Sequence, residues 1–336
     1  MKKIISLILS MLAIITMISL AGCKNKETLK FGMGIHSSIS KATDADGDTN
    51  GKGEVSETAA AVLLDKDGKI VKCVIDTADN AASYTSEGKF VEASEFKTKY
   101  ELRDDYGMKK FGGAKKEWYE QVDAFTTIVL GKTVDQVKAL AANGGKGNDD
   151  VIKAGCTITV SEFILAIEKA AKNAVESNAT ADDDVKLGIV SSQSNGKDAV
   201  EDAEGSNQID TTFVATVLDK NKKIVAASTD CIQAKFTFDA KGKSTTDTSA
   251  ALSTKKEAGK NYGMSKYGTD FNKDGVIKEW YEQAAAFDAA LVDKTASDIS
   301  GIAAEDGHGN SDLQKAGCTI IVSDMVKAAV KAATVA

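Results

Sequence analysis

The chain repeats itself once, at a distance long enough to be a whole domain, and this limits its fold more than any other feature. Lys115-Lys116-Glu117-Trp118-Tyr119-Glu120-Gln121 returns as Ile277-Lys278-Glu279-Trp280-Tyr281-Glu282-Gln283, 162 positions on. Lys153-Ala154-Gly155-Cys156-Thr157-Ile158 returns at the same spacing as Lys315-Ala316-Gly317-Cys318-Thr319-Ile320. Tyr106-Gly107-Met108 returns as Tyr262-Gly263-Met264, and Leu64-Asp65-Lys66 as Leu218-Asp219-Lys220, always in the same order. A period of about 155 to 160 residues is far beyond the 20 to 50 of a solenoid unit. The expectation is a tandem domain duplication, with one copy over 31–175, a linker over 176–185 and the second copy over 186–336.

Each copy carries both strand and helix patterns. Phe31 to Ser40 and Leu187 to Ser192 are strand candidates, each followed by a polar loop rich in Gly and Asp. Ala59 to Leu64, the turn Asp65-Lys66-Asp67-Gly68 and Lys69 to Asp76 form a hairpin pattern, with Asn221-Lys222 at the corresponding turn of the second copy. Further short strands are expected before Tyr106. From Lys115 the period changes. Trp118, Val122, Phe125 and Val129 fall on one helical face. Thr133 and Gln136 form a capping-box pattern for a shorter helix, and a Gly-rich loop follows at Asn143 to Gly147. Ala154 to Val160 resembles a strand, and Ser161 is placed to cap a last helix facing inward through Phe163, Ile164, Ile167, Ala170 and Ala171. The fold class expected is α+β, two tandem copies of an antiparallel sheet packed by helices. The chain has no proline, so its turns rest on Gly, Asn and Asp.

The N-terminus places the protein. Lys2 and Lys3 precede an apolar run from Ile4 to Leu20, then Leu20-Ala21-Gly22-Cys23. This order is a signal peptide over 1–22 with a small-residue cleavage site, and the cysteine behind it marks a bacterial lipoprotein signal. Cys23 is expected to carry the lipid, a palmitate-type acyl group, and 23–30 to serve as a polar tether outside the cytoplasm. No later run approaches the roughly 18 apolar residues of a spanning helix.

Charge and residue types exclude several functions. A net charge of −7, with Arg103 the sole arginine, argues against a nucleic-acid surface and against bidentate anion recognition by arginine. Cys73, Cys156, Cys231 and Cys318 include no Cys-x-x-Cys pair; they are either free buried thiols or two disulfides in one of three connectivities. His36 and His308 fall at non-equivalent places of the two copies, opposite Val190 and Lys146, so no shared histidine chemistry is possible. Glu117, Glu120 and Asp123 form an acidic first helical turn, and a hydrolase would rest on Glu117 alone. Asp44-Asp46-Asp48-Asn50 and Asp270-Asn272-Asp274-Gly275 resemble calcium loops, but Val55 and Tyr281 stand where the closing Glu belongs. Gly131-Lys132-Thr133 lacks the first glycine of a P-loop and follows a helix instead of a strand. Trp118-Tyr119 and Trp280-Tyr281 either stack on a flavin or sugar or pack in the core.

The segment Ala154-Gly155-Cys156-Thr157-Ile158-Thr159-Val160-Ser161 puts a hydroxyl just ahead of a helix N-terminus, where backbone N–H groups favour a phosphate. It resembles the Asp-x-x-Ser-Gly-Ala-Thr-x-Thr signature of the FMN-binding domain family, found in respiratory electron-transfer complexes and in flavinylated surface lipoproteins. Ala154, Gly155, Cys156, Thr157 and Thr159 match it, with Ala for Ser and Cys for Ala. The turn at Asp67-Gly68-Lys69-Ile70 is similar to that family's strand-DGKI-strand core. The resemblance implies FMN attached through its phosphate to Thr159, with Thr157 and Gly155 in the binding segment. It also implies installation by a flavin transferase and electron exchange with a membrane reductase. The expected Asp falls on Val151, and Ile321 replaces the acceptor threonine in the second copy, so the resemblance implies at most one flavin, in the first. The alternative is a non-catalytic surface lipoprotein that recognises a ligand or a neighbouring protein.

Overall fold

A computed structural model describes residues 28–93, 95–266 and 278–334. The expected signal peptide over 1–22, Cys23 and the Asp270 to Gly275 loop lie outside these residues. In the first copy β1 (Lys30–Thr43), β2 (Gly51–Leu64) and β3 (Ile70–Tyr84) form an antiparallel meander, with β4 (Phe90–Val91) on the outer edge of β3. There follow the short helices α1 (Lys99–Leu102) and α2 (Met108–Gly112), then α3 (Trp118–Val129), α4 (Val134–Lys138), α5 (Asp149–Ala154) and α6 (Ser161–Lys172). A two-residue strand β5 (Val175–Glu176) pairs back onto β1, so the connector between the copies narrows to 177–183. The second copy repeats the plan with β6 (Asp184–Lys197), β7 (Gly205–Leu218), β8 (Ile224–Phe238), α7 (Lys255–Ala258), α8 (Trp280–Leu291), α9 (Ala296–Ile299), α10 (Ser311–Ala316) and α11 (Ser323–Thr334). The fold is α+β with two antiparallel sheets, as the periodicities require.

The two sheets pack face to face, and the helices cover their outer faces. On β2, Ala60, Val62 and Leu64 join Trp118, Val122, Phe125, Phe163 and Ile167 in a helix-facing core. The alternate residues Ala59, Ala61 and Leu63 meet Phe213, Ala215 and Val217 of the opposite sheet. A strand buried on both faces reads as a continuous apolar run, which is why Ala59 to Leu64 shows no polar alternation. Gly32 and Gly34 let α6 lie flush on β1, because a Cβ at Gly34 would stand 2.1 Å from the backbone nitrogen of Ala170.

The hairpin turn forms as the sequence expects. Asp65 accepts hydrogen bonds from the N–H groups of Asp67 (2.9 Å) and Lys69 (2.8 Å), and Gly68 takes φ 73°. In the second copy Asp219 accepts from Asn221 and Lys223, and Lys222 adopts φ 61° without being glycine. The turn is therefore set by the aspartate, and the loss of Asp-Gly does not remove it.

Three expectations need correction. The polar Gly/Asp-rich loop after the first strand is confined to residues 44–50, and β2 already starts at Gly51, where Gly53 leaves room for the Phe236 ring of the other sheet. The run from Ala154 to Val160 is not a strand: α5 ends at Gly155 (φ 101°), and only Thr159 makes a bridge, to Lys146. Finally, Ser161 is the first residue of α6 and does not cap it; Val160 holds the cap position with no side-chain hydrogen bond.

A cluster of polar side chains lies between the two sheets, and its buried carboxyl group is Glu57. Glu57 on β2 is fully buried between them, and neither of its carboxyl oxygens has a hydrogen-bond partner. Beside it Asn80 donates to Ser191 (2.9 Å) and Ser191 shares a hydrogen bond with Thr211 (3.1 Å). Burial pushes the Glu57 carboxyl up to about 8, opposed only in part by the nearby Thr211 and Asn80.

Candidate functional site

The two segments that recur most closely are joined in space. Gln121, on the buried face of α3, accepts from Thr157 twice, from its N–H at 2.8 Å and its hydroxyl at 3.0 Å, and donates to the Lys116 carbonyl at 3.1 Å. Gln283 does the same for Thr319 at 2.8 and 3.2 Å and for Lys278 at 2.9 Å. The Lys116 side chain crosses above Gly155, where a Cβ would meet its Nζ at 2.1 Å, and Lys278 crosses Gly317 in the same way. The repetition of both segments thus follows from one structural unit, a clasp of helix α3 on the turn after α5.

Glu117 and Glu120, at the start of that helix, engage backbone N–H groups, while Asp123 accepts from the Tyr100 hydroxyl at 3.0 Å. Glu117 is buried and accepts from the N–H groups of Met108 (2.8 Å) and Lys109 (3.0 Å), which open α2. Glu120 accepts from the N–H of Glu117 at 2.8 Å, and Glu279 accepts from Met264 at 3.0 Å and from the Ser265 hydroxyl. These bonds tie the Glu117 carboxylate to the start of α2 and that of Glu279 to the matching segment of the second copy. Asp76, half-buried beside α1, accepts from the N–H groups of Thr77 (2.7 Å) and Tyr100 (3.1 Å), and desolvation pushes it up to about 7.

The aromatic pairs pack. Trp118 is buried, with its ring edge-on to Phe163 at 5.9 Å and Lys99 Nζ at 5.7 Å, and Trp280 carries Lys255 at 5.4 Å in the same arrangement. Tyr119 stacks with Arg103, whose guanidinium lies 4.7 Å from its ring and 4.2 Å from that of Tyr100. Cys73, Cys156, Cys231 and Cys318 are free thiols, and burial raises all four, Cys156 to about 11 and Cys231 to about 12. Among the described residues no group of three or more His, Cys, Asp or Glu side chains is arranged to hold a metal ion.

Within the segment singled out by its sequence, the structure separates the three residues. Gly155 lies under Lys116, and the Thr157 hydroxyl is occupied by Gln121. Thr159 is exposed, and its hydroxyl has no hydrogen-bond partner among the described residues. Its backbone is fixed by the bridge to Lys146, and the next residue, Val160, donates to the Gly145 carbonyl at 2.8 Å. A Cβ on Gly145 would stand 2.9 Å from Ser161 Oγ and 3.1 Å from the Thr159 methyl carbon Cγ2, so the glycine loop lies close against both side chains. In the second copy Ile321 stands in this place, 64% exposed. Sequence reasoning named the motif containing Gln121 without assigning that residue a role; its return as Gln283 was the available signal.

No family model matches the chain, and no solved structure does either. Over an alignment of 94 positions that covers 24% of the chain, it is 36% identical to a protein described as a chlorophenol reductase from Desulfitobacterium hafniense. The chain spans about 29% of that relative's length. No described helix is long and apolar enough to cross a membrane.

Proposed function

We propose that the chain is a lipid-anchored extracytoplasmic electron carrier, tethered through Cys23, whose first copy bears FMN esterified to Thr159. The observation that carries this is the Thr159 hydroxyl: exposed, unpartnered, backbone-fixed and one residue from the cap position of a twelve-residue helix that no side chain caps. A flavin transferase needs such an accessible hydroxyl: with a flavin dinucleotide as donor, the threonine oxygen would lose its proton and attack the flavin-side phosphorus, the pyrophosphate P–O bond would break and the nucleoside monophosphate would leave, and the resulting phosphodiester would gain from the positive end of the α6 dipole. Gly144 and Gly145 let the neighbouring loop come close without side chains, and Lys146 stands across the bridge from Thr159. The bound flavin would supply reversible electron uptake, while the clasp of Gln121 on Thr157 holds its attachment point still. Ile321 leaves the second copy without an acceptor, so one flavin per chain is expected. The shared stretch with a protein named as a reductase supports a redox setting, with a membrane reductase as electron donor.

The test is the intact mass of secreted protein made with and without a flavin transferase. An added FMN mass, lost in Thr159→Val, is the expected result; unmodified wild-type protein would sink the reading. A second reading is favoured by the internal engagement of Glu117, Gln121 and Thr157, which leaves the recurring polar residues with structural work only. In it, both copies form a surface binding lipoprotein without chemistry. The anchor is tested separately, since Cys23→Ala should move the protein from the membrane fraction to the medium in either case.

A further inference from the structure

The loop that carries α2 toward α3 differs in charge from its duplicate and from the chain as a whole. Residues 107–116 read Gly-Met-Lys-Lys-Phe-Gly-Gly-Ala-Lys-Lys, with four lysines and no acidic residue, in a chain of net charge −7. The stretch after Gly263 in the second copy sets Asp270 and Asp274 against its lysines. Phe111 is 78% exposed, more than any other large apolar side chain among the described residues. Its ring lies over Gly107, where a Cβ would meet Cδ2 at 2.5 Å, while Gly112 and Gly113 have open space where side chains would begin. The tip therefore stands clear of the body. Its base is fixed, because Glu117 accepts from the N–H groups of Met108 (2.8 Å) and Lys109 (3.0 Å).

The cations at the tip are largely uncompensated. Lys109 pairs with Glu120 at 2.8 Å. Lys110 and Lys115 are exposed, and neither they nor Lys116 has a carboxylate within ion-pair distance among the described residues. Lys110 Nζ lies 4.9 Å from the centre of the Phe111 ring, so charge and aromatic surface are presented together. One aromatic side chain is too little for a stable protein interface, which buries about 800 Å² on each partner around an apolar centre. It does suit the boundary of a bilayer, where an aromatic ring sits at headgroup level and ammonium groups meet lipid phosphates.

We propose that this loop is a second membrane contact, in which the Phe111 ring enters the headgroup layer of an anionic bilayer and Lys110 and Lys115 meet its phosphates. The negative charge of the chain as a whole opposes such contact elsewhere, so the loop also selects the face turned to the membrane. One ring and a few lysines bind weakly, and their effect is to orient a protein that its acyl chain already holds near the surface. The proposal rests on the anchored reading for its membrane and uses no flavin. The Cys23→Ala fractionation and the vesicle experiment below fail independently of each other.

The experiment is cosedimentation of the mature chain carrying Cys23→Ser, which has no acyl group to contribute. One set of vesicles is phosphatidylglycerol and phosphatidylcholine in equal parts, the other phosphatidylcholine alone, each at low salt and at about 0.5 M salt. The expected result is binding to the anionic vesicles only, lost at high salt, and about fivefold weaker both in Phe111→Ser and in Lys110→Gln combined with Lys115→Gln. Equal binding to the two kinds of vesicle, no binding to either, or unchanged binding in either variant would each overturn the proposal. Absence of vesicle binding together with capture of a membrane protein that Phe111→Ser abolishes would assign the loop to a protein partner instead. The comparison of anionic with neutral vesicles uses the unaltered loop, so it stands even if a variant folds poorly.

Discussion

Glu57 makes this protein's stability depend on pH in a way that can be isolated. Its carboxyl is raised from 4.5 to about 8 by burial between the sheets. In the unfolded chain it loses its proton near its ordinary value, while the folded chain keeps it until about pH 8. Between those values the folded state holds more protons, so stability falls as pH rises, by about 1.4 kcal/mol per unit, and levels off above pH 8. From pH 5 to pH 8 the loss is about 4 kcal/mol, a large share of the 5 to 15 kcal/mol that holds a typical domain together. Glu57→Gln keeps the shape and removes the titration. Asp76, raised to about 7 by burial, acts in the same direction but is present in both proteins and cancels. Urea unfolding of both proteins at pH 5, 6, 7 and 8 should give a stability difference that shifts in favour of the glutamine variant by about 3 to 4 kcal/mol across the series. Parallel curves with equal m-values would show that Glu57 ionises normally and that the sheet interface admits water.

Replacing Gln121 with Leu removes the acceptor of both Thr157 bonds and should cost about 1 to 3 kcal/mol in thermal unfolding; no loss would mean that the clasp is not a stabilising element. Gly34→Ala forces a Cβ to within 2.1 Å of the α6 backbone and should cost about 3 kcal/mol or more, whereas Gly112→Ala, with open space around it, should be neutral or slightly stabilising. Similar unfolding midpoints for the two variants would refute the close packing of α6 on β1. Cys156, Cys231 and Cys318 should resist iodoacetamide at pH 8 until urea is added, because they are buried and their thiolates are disfavoured; rapid labelling of the native protein, read by mass, would contradict this.

Much of the architecture was legible from residue order. The recurrence of Lys-Glu-Trp-Tyr-Glu-Gln and Ala-Gly-Cys-Thr fixed two copies of one plan, and the spacing of Trp118, Val122, Phe125 and Val129 fixed the buried face of α3, because these are local periodicities of a single element. The turn at Asp65 was legible for the same reason, since an aspartate bonds to its own next residues. What lay beyond reach depends on partners distant in the chain. Nothing near Gly53 announces that Phe236 fills the space above it, and nothing near Glu57 announces the opposite sheet that takes away its water. Thr157 and Thr159 are alike in sequence, yet only the arrival of Gln121 from another helix occupies one hydroxyl and leaves the other free. Local patterns therefore determined the elements and their faces; the packing of the two sheets determined which polar groups are buried, paired or exposed, because burial is a property of contacts between segments far apart along the chain.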